Sequence, residues 1–158
     1  MDMFAKLREN LKTKRRTIVF TEGPDPRILE ATFRLKNENL MDVILVGNES
    51  EVRTAAANHG FDISGVTILD PATYPEMDAM VSTMVDLRKG KMSPEECRAA
   101  LMKGNYFGTM LVKMGKADAL LGGATYSTAD TVRPALQLVK TKPGAHLVSS
   151  CFILNRPV

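Results

Sequence analysis

The residues of this chain whose types and spacing could do chemistry are concentrated between Gly122 and Arg133, GGATYSTADTVR. Five hydroxyls, those of Thr125, Tyr126, Ser127, Thr128 and Thr131, stand between a glycine pair and an arginine, with Asp130 among them. Hydroxyls ahead of a helix lie where the first backbone N–H groups lack an intrahelical partner, and the Arg133 guanidinium adds a fixed charge whose fork matches phosphate or carboxylate. The implied chemistry is the binding of an anion. The same residues support a purely local role, because Ser127 followed by Asp130 three positions on resembles a capping box. Pro134 bears on the choice. It has no N–H and sits best in a first helical turn, which places the regular helix start near Thr131 and leaves residues 125–128 in a loop, open to a ligand.

These residues need a strand before them and a helix after them. Ala117, Ala119, Leu120 and Leu121 form an apolar run bounded by Gly115 and Gly122, as a strand covered on both faces would. Val132, Ala135, Leu136 and Val139 recur at i, i+3, i+4, i+7 and predict an amphipathic helix. Upstream, Phe4, Leu7 and Leu11 suggest a first helix, residues 17–20 a strand, and residues 26–37 a helix with Asp25 as cap and Pro26 at its first position. A strand over residues 42–46, a helix opened by Asn48 with Glu51 at its third position, and a strand over residues 66–69 closed by Asp70 and Pro71 continue a βαβ rhythm. The middle is helical. Met77, Met80, Val81 and Met84 line one helix, Ser93, Pro94 and Glu96 spell a capped start, and Phe107, Met110, Leu111 and Met114 mark a third helix closed by Gly115. The fold expected is α/β, a doubly wound and mostly parallel sheet flanked by helices, with a helical insertion before its last two strands.

Arg88 continues the line of Met77, Val81 and Met84, so it leaves the end of a buried helical face. A cation there also complements the helix dipole, with Gly90 ending the helix. Glu22, Asp25 and Arg27 crowd the end of the first strand, where capping and ion pairing account for Asp25 and Arg27.

At 158 residues the chain has the length of about one domain. Its net charge is +3, and the one dense basic run, KTKRR from Lys12 to Arg16, falls at the end of the first helical pattern, so a solvated helix end fits it better than nucleic acid binding does. No apolar stretch is long enough to span a membrane. Cys97 and Cys151 make no CxxC, which fits a reduced cytoplasm, and both are expected to be buried and inert, Cys97 in a helix and Cys151 in a strand. With only His59 and His146 beside them, a zinc site is not expected. Neither a Walker A motif nor a G-x-G-x-x-G occurs.

The run STADTVRPALQLVKTKPG, from Ser127 to Gly144, resembles the signature of the phosphate acetyltransferases, which exchange an acetyl group between coenzyme A and inorganic phosphate. IVFTEGPDPR (Ile18 to Arg27), VILVGNESEVR (Val43 to Arg53), DLRKGK (Asp86 to Lys91) and NYFGTMLVKMGKADALLGGA (Asn105 to Ala124) agree with that family in the same order. Tyr126 departs from it, standing where many relatives have His. The resemblance implies that Arg88 and Arg133 hold coenzyme A, and with them Ser127, Thr128 and Thr131 form the expected substrate-binding set. It implies no metal and no cofactor, coenzyme A being a substrate, and it implies a cytoplasmic homodimer at full length.

It also implies that something is missing. The family's Ser-Arg pair and catalytic Asp lie in a C-terminal stretch without counterpart here, so no catalytic residue is assigned, and residues 1–158 are expected to form one α/β domain, the N-terminal half of a longer enzyme that is inactive alone. The apolar run 147–154, read as a parallel strand with no covering helix after it, points the same way. A phosphate butyryl- or propionyltransferase, a domain of the same fold attached to a malic enzyme, and a non-catalytic anion-binding or assembly module are the alternatives.

Overall fold

Local sequence signals set the ends of most helices. In the computed structural model, which describes residues 3–154, Asp25 accepts the backbone N–H of Arg27 ahead of α2 (Pro26–Asn37), which follows α1 (Met3–Thr13). Asn48 accepts that of Glu51 ahead of α3 (Glu49–Asn58). Ser93 and Glu96 exchange hydrogen bonds as a full capping box ahead of α5 (Pro94–Leu101), which follows α4 (Met77–Arg88). Each satisfies N–H groups that a helix start leaves unpaired. α4 ends on Lys89 in the left-handed conformation (φ 50°), with Gly90 after it.

Four strands, β1 (Thr17–Phe20), β2 (Asp42–Val46), β3 (Thr67–Leu69) and β4 (Ala119–Leu121), pair in the order β3-β2-β1-β4, all parallel. Strand alternation sends Val19, Ile44 and Val46 to one face, where they meet Met77, Met80 and Met84 of α4, Cys97 and Leu101 of α5, and Phe107, Met110 and Leu111 of α6 (Gly104–Lys113). Phe20, Val43 and Leu45 point the other way, onto Ile28 and Leu29 of α2 and Val52 and Ala56 of α3. The expected doubly wound sheet with its helical insertion is therefore present. The chain reverses between β1 and β4, because the three-helix insertion carries it back across the sheet.

The basic run is absorbed into this frame. Arg15 bonds Asp42 (2.8 and 2.7 Å) and Asn39 at the start of β2, and Arg16 bonds Asp118 ahead of β4 (2.6 Å).

Three expectations fail downstream of β4. α7 spans Thr128–Pro134, so it starts at Thr128 and not near Thr131, and it runs on into a single π-helical turn, Ala135–Val139. Pro134 sits in the last position of α7 instead of its first turn. Its missing N–H would have bonded the carbonyl of Asp130, and that carbonyl instead accepts the Asn105 side-chain amide (2.7 Å), while the Lys140 N–H closes the wider turn on the Ala135 carbonyl (2.9 Å). The predicted apolar stripe is also turned outward. Val132, Leu136 and Val139 are 39%, 49% and 43% exposed, whereas Pro134 and Leu138 are buried.

The last strand is absent as well. Residues 147–154 are extended coil with no sheet partner among the described residues, and Leu147, Phe152 and Leu154 lie open. An apolar run becomes a strand only where another strand can take its backbone hydrogen bonds. Cys151, expected in that strand and buried, is exposed; Cys97 is buried as expected.

Candidate functional site

In open parallel sheets, ligands bind beyond the carboxyl ends of the strands, at the point where the strand order reverses. Here that point lies between β1 and β4, and a cavity of about 540 Å³ opens there. Its walls come from successive strand ends: Thr21, Glu22 and Asp25 after β1, Gly47 and Asn48 after β2, Asp70 after β3, and Thr125 and Tyr126 after β4, with Met102 from the end of α5 and Gly104 from the start of α6.

Glu22 closes the switch point. Its carboxylate accepts the backbone N–H groups of Gly123 (2.8 Å), Ala124 (3.0 Å), Thr125 and Tyr126 (3.0 Å), and the hydroxyl of Thr125 (2.6 Å). Burial pushes the Glu22 carboxyl up, but the hydrogen bonds from the Thr125 hydroxyl and the loop N–H groups outweigh it and hold the group below its ordinary value of 4.5. The glycine loop does have the form of an anion site. The anion it holds is the protein's own.

The other acidic groups facing the cavity are satisfied internally too. Asp25 caps α2 and bonds Arg27 (2.8 Å), whose guanidinium also donates to the Ala124 carbonyl (2.7 Å), so it braces the same loop. Asp70 accepts the Asn48 amide (3.0 Å) and the Ala72 N–H (2.9 Å).

Close approach of α6 to the end of β1 depends on glycine. A Cβ at Gly104 would lie 2.4 Å from the Thr21 carbonyl oxygen, and one at Gly122 would lie 2.5 Å from Oγ1 of Thr21. Both are closer than real Cβ contacts allow. With no side chain at Gly104, the Tyr126 phenol reaches the start of α6. Burial and the Glu22 charge push that phenol above its ordinary value of 10.0, against the opposing pull of the Asn105 and Gly104 N–H groups.

The predicted substrate residues divide into three groups. Ser127 and Thr131 are committed locally: the Ser127 hydroxyl accepts the Asp130 N–H (3.1 Å) and donates to its carboxylate (2.7 Å), and the Thr131 hydroxyl donates to the Ser127 carbonyl (3.0 Å). Thr128 and Arg133 are exposed on α7, and among the described residues Arg133 makes a long ion pair to Asp130 (3.9 Å). Arg88 is elsewhere in sequence but on an adjoining element, since Lys140, just past the π turn, donates to the Leu87 carbonyl at the end of α4 (3.4 Å). Its Nε is buried and has no acceptor among the described residues. None of these five lines the cavity, which Thr125 and Tyr126 do.

Glu22 and Asn105 are the positioning residues that the sequence alone did not single out for their roles. Glu22 could have been found from its place directly after β1, beside the switch point; nothing local marks Asn105 as the partner of a carbonyl released by Pro134.

The sheet order, switch point and flanking helices define a doubly wound α/β protein. The sequence profile described as phosphate acetyl/butaryl transferase matches residues 2–157, and the chain belongs to that family. It is 47% identical to the phosphate acetyltransferase of Bacillus subtilis (strain 168) over 155 residues, which is 98% of this chain and 48% of that protein. Among solved structures, a phosphotransacetylase from Streptococcus pyogenes is 47% identical and superposes with a TM-score of 0.87 over 91% of this chain and 45% of that one. The EutD phosphotransacetylase from Staphylococcus aureus is 42% identical with a TM-score of 0.85, over 93% of this chain and 46% of that one. The chain thus spans about half the length of the relatives it matches. No helix among the described residues is long and apolar enough to cross a membrane.

Proposed function

We propose that this chain is the N-terminal, substrate-holding portion of a phosphate acetyltransferase, which moves an acetyl group reversibly between coenzyme A and inorganic phosphate. The observation that carries this reading is the 47% identity to such an enzyme across 98% of the chain. In the reaction a base takes the thiol proton, the thiolate attacks the carbonyl carbon of acetyl phosphate, and the bond to phosphate oxygen breaks so that phosphate leaves with the electron pair. The base and the oxyanion donors belong to the half of the relatives that this chain does not span. Coenzyme A is a substrate and no cofactor is required.

Arg133 and Thr128, both exposed on α7, and Arg88, with a buried donor still unpaired among the described residues, are the groups free to meet the phosphates of the coenzyme. Ser127 and Thr131 act at one remove, by fixing the helix start that presents them. The complete enzyme is a cytoplasmic homodimer in this reading.

The test joins this chain to the remaining half of the Bacillus subtilis relative. The fusion is expected to form acetyl coenzyme A from acetyl phosphate and coenzyme A, and the 158-residue chain alone to form none, since even one missing oxyanion donor costs about 10²- to 10³-fold. In the fusion, Arg133→Ala should raise KM for coenzyme A about tenfold or more, well beyond any change for acetyl phosphate, with Lys restoring only part. Unchanged KM values with a lowered melting temperature would make Arg133 structural, and turnover by the chain alone would overturn the division of roles.

A further inference from the structure

Tyr126 is half-buried on the wall of the switch-point cavity, and its phenol is tied on one side only. α6 has no side-chain cap, and the phenol oxygen stands at the N–H groups of Gly104 and Asn105 that open it; a Cβ on Gly104 would lie 3.4 Å from that oxygen. An oxygen that takes N–H groups on its lone pairs keeps its own hydrogen for another acceptor, and none takes it among the described residues. Asn48 is placed alike on the same wall. Its Oδ1 accepts the Glu51 N–H (3.2 Å) and one Nδ2 hydrogen goes to Asp70 (3.0 Å), which leaves the second Nδ2 hydrogen over among the described residues. The rest of the wall selects against an anion. Glu22, Asp25 and Asp70 stand on it, each already bonded within the chain, and no cation joins them among the described residues, so a phosphate brought here would meet like charge. Pro24, Val46, Pro71 and Met102 supply apolar wall between the polar groups, and about 540 Å³ is an ordinary size for a small-molecule site. Uncharged donors on apolar wall suit neutral amides.

We infer that the cavity holds the neutral, amide-bearing arm of coenzyme A, its pantetheine portion, with the Tyr126 O–H donating to an amide carbonyl of the arm. Tyr126 is then a substrate-binding residue as well as a brace for α6. The assignment rests on coenzyme A being the substrate, as proposed above, and adds where the uncharged part of it goes. Chain geometry supports it. Tyr126 and Thr128 are two residues apart, so their backbones lie within about 7 Å of each other, and a coenzyme whose phosphates meet Thr128 and Arg133 on α7 can lay its arm into the cavity. The walls all come from strand ends and the α5–α6 junction, so the concavity is made by the fold itself and not by an uncovered face.

Two fragments of the coenzyme test it: pantetheine, which carries the arm and no phosphate, and adenosine 3′,5′-bisphosphate, which carries phosphates and no arm. In the 158-residue chain followed by NMR, pantetheine should shift the Met102 methyl and the Gly47 and Asn48 amides saturably, and the bisphosphate should leave them in place. Tyr126→Phe, which removes the phenol oxygen, should weaken pantetheine about three- to tenfold. In the fusion with the remaining half of the Bacillus subtilis relative, it should raise KM for coenzyme A by the same factor without moving KM for acetyl phosphate. Should the Phe variant fail to fold, Met102→Ala, at a side chain 44% exposed, should weaken pantetheine about threefold, and wild-type affinity in that variant would overturn the site. Pantetheine that leaves the cavity signals unmoved, that binds Tyr126→Phe as tightly as wild type, or that moves them no more than the bisphosphate does would overturn the assignment. So would shifts seen in the chain but not in the fusion, since the second half would then fill the cavity. The two readings fail separately. A fusion that makes acetyl coenzyme A while pantetheine never enters the cavity removes only this assignment, and one that binds pantetheine there but transfers no acetyl group removes only the transferase reading.

Discussion

The glycine loop after β4 and the helix stripe that follows it exchange the roles that their sequences suggest. The loop, rich in free donors on paper, is closed, because Glu22 takes four backbone N–H groups and a hydroxyl from residues 123–126. The stripe, patterned to be buried, is open. Hydrogen-bonding capacity and hydrophobic periodicity are local quantities, but whether they are satisfied depends on what the fold brings to them. In the loop the partner lies about a hundred residues upstream; at the stripe none covers it among the described residues.

Removing the loop's partner should have the largest effect. Glu22→Ala leaves several part-buried donors without an acceptor and is expected to cost about 3 kcal/mol or more in denaturant unfolding, since each unsatisfied buried donor costs about 1–3 kcal/mol. Glu22→Gln keeps an acceptor and should cost less at neutral pH. Wild type and Glu22→Gln should also converge in acid. The folded-state value of Glu22 is depressed below 4.5, so its contribution is fully present above that value and is lost as pH falls through it. The stability gap between wild type and Glu22→Gln should therefore shrink below about pH 4.5; a gap independent of pH would show that the carboxylate charge does not close the loop.

Gly104→Ala probes the same closure from the other side. Its Cβ would meet the Thr21 backbone carbonyl at 2.4 Å, and backbone cannot step aside as a side-chain tip can. A loss of about 1–3 kcal/mol is expected, with faster hydrogen exchange at residues 123–126 as α6 and β1 separate. Wild-type stability in this variant would contradict the close approach.

Asn105→Ala acts on the stripe. It orphans the Asp130 carbonyl, and with it the device that lets Pro134 sit at the end of α7, so a cost of about 1–2 kcal/mol is expected. The distinguishing readout is local: exchange should rise across residues 128–139 and not in the loop.

These same contacts mark how far the sequence could be read. The strands, the caps at Asp25, Asn48 and Ser93, and the methionine-lined insertion were legible because each is decided within a few residues. The proline rule places Pro134 in a first turn and so sets the helix start too late, because it has no way to foresee that Asn105 satisfies the carbonyl Pro134 leaves free. The stripe's spacing was read correctly and its direction was not, since periodicity says that a face is apolar without saying toward which partner it turns. The run 147–154 shows the same limit, being apolar enough for a strand but without a neighbour to pair with among the described residues. At the site, the hydroxyl cluster was visible and its internal anion was not, because Glu22 reaches it only through the parallel pairing of β1 with β4.

The most direct test of this account is a phosphate titration of the isolated chain at neutral pH, followed by the amide resonances of Gly123, Ala124, Thr125 and Tyr126. Because their N–H groups are already bonded to the Glu22 carboxylate, they should stay in place at millimolar phosphate, and should begin to respond only in Glu22→Ala. Saturable shifts of these four amides in the wild-type chain would show that the loop is open to an external anion, and the internal-anion account of the switch point would be wrong.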